Sequence, residues 1–342
     1  MIRLFNAMWP GLVGKVPGTS EPPLSLERML DLTAAATVDG EGFAGVDLFL
    51  AAPHLASTAD AGEILNLADR IAARGLRIGT LVAPIWPWTG GGSAMGSAAD
   101  RQRFVAAVRR ACRVAGILNQ HGIRTDRLIR IDSADSPAHF AADPAGNRER
   151  IIATFREAAQ VAADHGECLA AEGEACWAGM HSWPEMLRIL EGVGMPQALG
   201  FQADLAHTYF YLLGANEPTA ALLQKPYSAE EFIRAYARLV AALGPWTVDL
   251  HIAQTDGTLF GSGDHDQTGR HCLPADPAAC LDAVACAHRW LAARATSNRP
   301  PLTHVCWDGC MFPNAVLEDA QTWTAILRLM LTIRDHVTET SP

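Results

Sequence analysis

The stretch LGFQADLAHTYFYLLG, residues 199–214, decides the fold. It opens with strand-forming residues and passes directly into an apolar helix-like face, and Gln202, Asp204 and His207 stand at the join. A carboxylate placed where a buried strand gives way to its following loop is costly unless something positive meets it. A metal ion is the obvious partner. Three other strand-like runs carry polar residues at comparable positions. They are CLAAEGE (168–174) with Glu172 and Glu174, WTVDLHIAQ (246–254) with Asp249 and His251, and LTHVCWDGC (302–310) with His304 and Asp308.

Outward from these four runs the same rhythm fills the chain. IRLFNAM (2–8) precedes a helical pattern at 25–38, FAGVDLFL (43–50) one at 61–75, RIGTLVAPIW (77–86) one at about 100–120, and RLIRIDSA (127–134) one at 147–166. The helical segments repeat apolar residues at i, i+3, i+4 and i+7, and the strands are short β-branched runs closed by Gly, Pro or Asp. Alternation of this kind predicts a parallel sheet with right-handed crossovers, and eight units is the number that closes into a single (β/α)8 TIM barrel spanning residues 1–342. Surplus length falls in enlarged loops after strand 3 (84–97) and strand 7 (255–277), with a shorter one after strand 5 (175–183). A doubly wound open sheet would want a GxGxxG turn after its first strand, and NAMWPGLVGKVPG lacks that spacing.

The chain has 342 residues, 49% of them apolar and 19% charged, enough for a large folded core. A net charge of −10 argues against a protein that grips phosphate backbones through a basic surface, so no nucleic-acid partner is expected. No window has the roughly 20 apolar residues of a membrane span. The N-terminus lacks a signal-peptide pattern, and the expected location is the cytoplasm. The eight cysteines are read as free thiols packed like small hydrophobes. Homo-oligomerisation is left open.

Side chains alternate faces along a strand, so Glu172, Asp204, His251 and Asp308 face the barrel axis from four neighbouring strands and converge at one mouth. A lone Asp at a strand end is usually a helix cap, but four such residues on consecutive strands are not explained by capping. Three carboxylates and an imidazole make an oxygen-rich donor set that suits Mn2+ first, then Mg2+, with Co2+ and Zn2+ also compatible.

HGECLAAEGE (165–174) resembles the fifth-strand pattern HG-x-x-L-x-x-E of the xylose isomerase-like TIM barrels, the superfamily of sugar isomerases and epimerases that includes the AP endonuclease 2-like family. FQADLAH is similar to its D-x-x-H step, and DLHIAQTDGTLFGSGD to its H-x-x-D stretch. The resemblance implies that Glu172, Asp204, His251 and Asp308 ligate a divalent metal and that His207 orients substrate or ligand. Relatives usually have Glu where this chain has Asp308, which shortens the reach of a second proton-transfer group.

Moving a sugar carbonyl, or inverting its neighbour, needs a proton taken from the adjacent carbon, and a cation on the developing enediolate oxygen makes that carbon acidic enough. Glu172 is the expected base, Asp308 its partner on the opposite face, and His207 a proton relay. Expected substrate contacts are Trp9, Trp86 and Trp177 by ring stacking, His54 and Glu174 by hydrogen bonding, and His265, Arg270 and His271 from the loop after strand 7. Arg130 and Asp132 are expected to pair with each other. The leading expectation is a metal-dependent isomerase or epimerase of a ketose or keto-sugar. A lyase, dehydratase or 3-keto-glycoside cleaving enzyme using the same site by β-elimination is the alternative.

Overall fold

The computed structural model describes residues 2–12, 21–259, 269–295, 300–310 and 312–340. Eight strands close into a barrel: β1 Arg3–Ala7, β2 Gly45–Phe49, β3 Arg77–Val82, β4 Leu128–Ile131, β5 Cys168–Glu172, β6 Leu199–Asp204, β7 Thr247–Ile252 and β8 His304–Trp307. Every neighbouring pair is parallel, and β1 closes the ring by pairing with both β2 and β8. The doubly wound alternative is thereby excluded. Among the described residues no helix is long and apolar enough to cross a membrane, and all eight cysteines are free.

The outer helices follow from local chemistry. Helix Ala61–Ala72 starts at a reciprocal cap between Asp60 and Glu63 and buries Ile64, Leu67, Ala68 and Ile71, a single apolar stripe laid on the barrel. Ala229–Leu243 repeats the device with Ser228 and Glu231, and it buries Tyr236, Leu239, Val240 and Leu243. One expected helix is shorter than its pattern. It stops at Ala35, because Asp39 (φ 52°) and Gly40 (φ 84°) turn the chain into a hairpin pairing Thr37–Val38 with Glu41–Gly42. An Asp-Gly pair accepts the positive φ that such a tight turn needs, and this local signal overrides the helical periodicity.

Below the mouth the barrel interior carries a column of buried polar groups. The Asp249 carboxylate accepts hydrogen bonds from Thr80 Oγ1 (2.9 Å) and the Gln202 amide (2.9 Å), and Asp47 accepts from the Thr80 backbone N–H (3.0 Å). His304 Nε2 lies 3.5 Å from Asp249 and 3.8 Å from Asp47, while its Nδ1 is 3.1 Å from Asp126. Burial disfavours the imidazolium, but these three carboxylates outweigh it and hold the His304 pKa well above its ordinary value. Its stabilising charge is therefore present at and below pH 6.5 and is lost only as pH rises through the elevated folded value. Replacing His304 by Gln strands two buried carboxylates and should cost about 3–5 kcal/mol, read by urea unfolding at pH 6. An unchanged unfolding midpoint would show that the column does not rely on this cation.

Candidate metal centre at the barrel mouth

Register brings the polar residues together. Glu172 ends β5 opposite Gln202, Asp204 ends β6 opposite His251, and His251 on β7 stands opposite Cys306, with Asp308 two residues further along the chain. Each strand is thus staggered against the last, and the stagger of a closed barrel lifts all four onto one rim at the carboxyl ends of the strands. All four are buried, at 3%, 0%, 0% and 2% exposure respectively.

Asp204 serves two ends at once. Its Oδ1 accepts the backbone N–H groups of Ala206 (2.7 Å) and His207 (3.0 Å), capping helix Leu205–Leu213, while Oδ2 is buried with no hydrogen-bond partner. His251 is held from below by the Gln202 amide, 2.6 Å from Nε2, which leaves Nδ1 unpartnered and facing the mouth. From there Nδ1 stands 3.6 Å from Asp308 Oδ2 and 3.8 Å from Glu172 Oε1. Asp308 is fixed by Trp9 Nε1 (3.0 Å) and by the Cys310 N–H (2.8 Å).

The loop after β7 adds a further member. Thr255 and His271 form an isolated antiparallel bridge, and it turns His271 inward. Its ring nitrogens lie 3.9 Å from Asp204 Oδ1 and 3.8 Å from Asp308 Oδ1, and neither has a hydrogen-bond partner. His207 Nε2 stands 4.0 Å from Glu172 Oε1. The donors form two triads, Glu172–His251–Asp308 and Asp204–His207–His271, whose ligand atoms lie within 4.8 Å of one another.

These separations decide what the cluster fits. They are too long for hydrogen bonds, yet two ligands each about 2.0–2.2 Å from one ion stand roughly 3–4 Å apart. Charge points the same way. Glu172, Glu174 and Asp132 are buried around the Arg130 guanidinium, and Asp204 and Asp308 are buried beside the imidazoles of His251 and His271. Burial, together with the neighbouring Asp308 charge, pushes Asp204 up to about 6 against the pull of His271 and His251. Burial also opposes ionisation of Asp308, but His251, His271 and His207 outweigh it and hold that carboxyl below its usual value. For His251 the burial penalty is overcome by Asp308, Asp249 and Asp47, which raise its pKa. A divalent cation would fit here, because it would satisfy the orphaned atoms and offset the excess charge.

The remaining expected residues divide. Trp9 reaches the cluster through its indole N–H and stacks on His251 at 5.5 Å. Glu174 accepts from Trp177 Nε1 (2.7 Å) and from Arg130 (3.1 Å). Arg130 does pair with Asp132 at 3.4 Å, but it also bonds Glu172 and Glu174, so it is a strut of the site rather than half of an isolated pair. Trp86 lies under the Arg130 guanidinium at 5.4 Å. His54 is buried against Phe49 with both ring nitrogens unpartnered, and burial lowers its pKa to about 4, so it is a neutral imidazole. Arg270 is half exposed and bonds Asp256 (2.7 Å), tying the loop down rather than entering the cluster. His265 lies outside the described residues.

An eight-stranded parallel barrel with a buried carboxylate and imidazole cluster at the carboxyl ends of its strands defines the class of the protein. Residues 35–285, more than half of the chain, match the xylose isomerase-like TIM barrel family, and the protein belongs to that family. An L-ribulose 3-epimerase structure is similar over 100% of this chain and 99% of its own, with a TM-score of 0.62 and 14% identity. A family 2 AP endonuclease from Brucella melitensis covers 95% and 99%, with a TM-score of 0.59 and 19% identity. A 3-keto-D-glucoside 4-epimerase from E. coli covers 95% and 100%, with a TM-score of 0.52 and 13% identity. A comparison with curated protein sequences finds no match.

Proposed function

We propose that the protein is a divalent-metal-dependent enzyme, with Mn2+ as the favoured ion, that isomerises or epimerises a ketose or keto-sugar. The observation that carries this reading is the set of buried, unpartnered donor atoms on Asp204, His251 and His271 gathered beside Glu172 and Asp308. Bound there, a divalent cation supplies Lewis-acid polarisation of a sugar carbonyl. Similarity to solved epimerases supports the same class.

The chain's own groups supply the rest. Arg130 anchors one Glu172 oxygen and leaves Oε1 turned toward the cluster, placed to take the proton from the carbon beside the carbonyl. His207, close to that same oxygen, relays protons to and from a substrate hydroxyl. Buried walls exclude water from the reacting carbon. Elimination is the second reading, and one observation favours it. Asp308 is short, and each of its oxygens already accepts a hydrogen bond, so it is poorly free to act as a second base. Single-base chemistry at Glu172 suits loss of a β-leaving group. Product analysis separates the two, since isomerisation conserves mass and elimination releases a fragment. The partner is a small sugar; the acidic balance of the chain argues against nucleic acid.

The test is metal binding followed by a screen of ketoses and 3-keto sugars. Because Asp204 is pushed up to about 6, protons compete with the ion below that pH. Affinity by calorimetry should fall about fivefold between pH 6 and pH 5 and approach tenfold per unit below that. In the metal-free protein the sign is opposite. Protonated Asp204 favours the fold at low pH, and that contribution is lost as pH rises through about 6. An affinity that is flat between pH 5 and 7 would remove Asp204 from the ligand set.

A further inference from the structure

A line of aromatic rings leads outward from the carboxylates. Trp177, whose N–H bonds Glu174, lies 6.4 Å from Trp86, and Trp86 is stacked on Trp88 at 5.9 Å with 15° between the planes. Phe49 touches both, at 5.5 Å from Trp86 and 5.7 Å from Trp88. Burial changes abruptly along this line. Trp86 is 6% exposed and Trp88 65%. Among the described residues only Leu65 and Ile233 are comparably exposed large apolar side chains, and both sit on outer helices.

Trp88 is not a loose loop residue. It lies in the turn Pro87–Thr89, pinned by Thr89 Oγ1 and Gly91 N–H, which both donate to Trp86 O at 2.8 and 2.9 Å. Gly90 takes a φ of 84°, and a Cβ on Gly91 would overlap the Ile85 backbone, so the glycines fold the loop tightly back on the end of β3. A rigid turn that holds an indole flat against a second indole and leaves its outer face in water costs hydrophobic free energy unless something covers it. Beside these rings His54 is a buried imidazole with both nitrogens unpartnered. The rings are continuous with the metal centre, so the occupant they fit is part of the substrate.

We propose that Trp88, backed by Trp86 and Phe49, is a shelf that seats a second ring of the substrate, carried on the sugar whose carbonyl reaches the metal centre. The substrate class is then a glycoside with an aromatic or sugar aglycone rather than a free monosaccharide. The proposal rests on the mouth taking a sugar. Calorimetry on the metal-loaded full chain, with glucose, cellobiose and p-nitrophenyl glucoside as probes, reads binding itself and tests it without requiring turnover. At least one of the two-ring probes should bind about tenfold more tightly than glucose, and which one does so distinguishes a sugar from an aryl aglycone. Trp88→Ala should erase that advantage and leave glucose affinity unchanged, while Trp88→Phe should keep most of it. Equal affinity for one-ring and two-ring probes in the wild type, or no effect of Trp88→Ala, would overturn the shelf while leaving the sugar site standing. So would a drop in oligomeric state on Trp88→Ala in sedimentation, which would make the ring a subunit contact. Failure of the wild type to bind any of the three sugars would overturn the sugar reading of the mouth and the shelf with it.

Discussion

Glu172→Gln should lower turnover by about 10²–10⁴-fold while the barrel stays folded. Glutamine keeps the length of the side chain and a carbonyl oxygen but cannot accept a proton. The fold should survive because Arg130 keeps Glu174 at 3.1 Å and Asp132 at 3.4 Å when the Glu172 charge is gone. Circular dichroism and metal content measured on the same sample separate a lost base from a lost ion. Wild-type turnover in this variant would remove Glu172 from the chemistry.

Asp204→Ala should abolish stable metal retention. Outer partners of metal ligands cost about 10–100-fold in affinity when removed, and a direct ligand should cost more. Alanine also removes the cap on helix Leu205–Leu213, worth about 1 kcal/mol, so a fall in stability alone would be ambiguous. Asp204→Asn resolves this. Asparagine caps nearly as well as aspartate but offers no anionic oxygen, so the metal-free variant should melt with the metal-free wild type while elemental analysis after dialysis shows no ion retained. A full metal complement in both variants would show that Asp204 is only a cap.

Much of this was legible in the chain. Eight strand-helix units announce the barrel, and period-two alternation puts Glu172, Asp204, His251 and Asp308 on its inner face; in the structure Glu172, His251 and Asp308 share one triad, while Asp204 stands in the other with His207 and His271. Other residues were obscured because their roles depend on long-range geometry. Arg130 stands opposite Ala170 in the β4–β5 register, and only the reach of its guanidinium along the rim shows that Glu172 and Glu174 are its partners. His271 reads as a loop residue until the bridge to Thr255 folds it back among the carboxylates. The column of Asp47, Asp249 and His304 has the right parity for the lumen, but its depth below the mouth is set by the stagger between strands, and a sequence does not display that. Trp88 looks like any loop aromatic until its exposed face is seen stacked on Trp86.

The bond from Trp9 to Asp308 joins residues 299 positions apart, across the seam where β1 meets β8. Until the two ends of the polypeptide dock, Asp308 has no fixed place among the donors. Ion capture at the proposed site would therefore be coupled to ring closure, and a half-barrel fragment should be a poor chelator however well it folds. An ion held there would act as a clasp on the terminal seam, so amide hydrogen exchange in β1 and β8 should slow on metal addition more than exchange in β3 or β4 on the far wall.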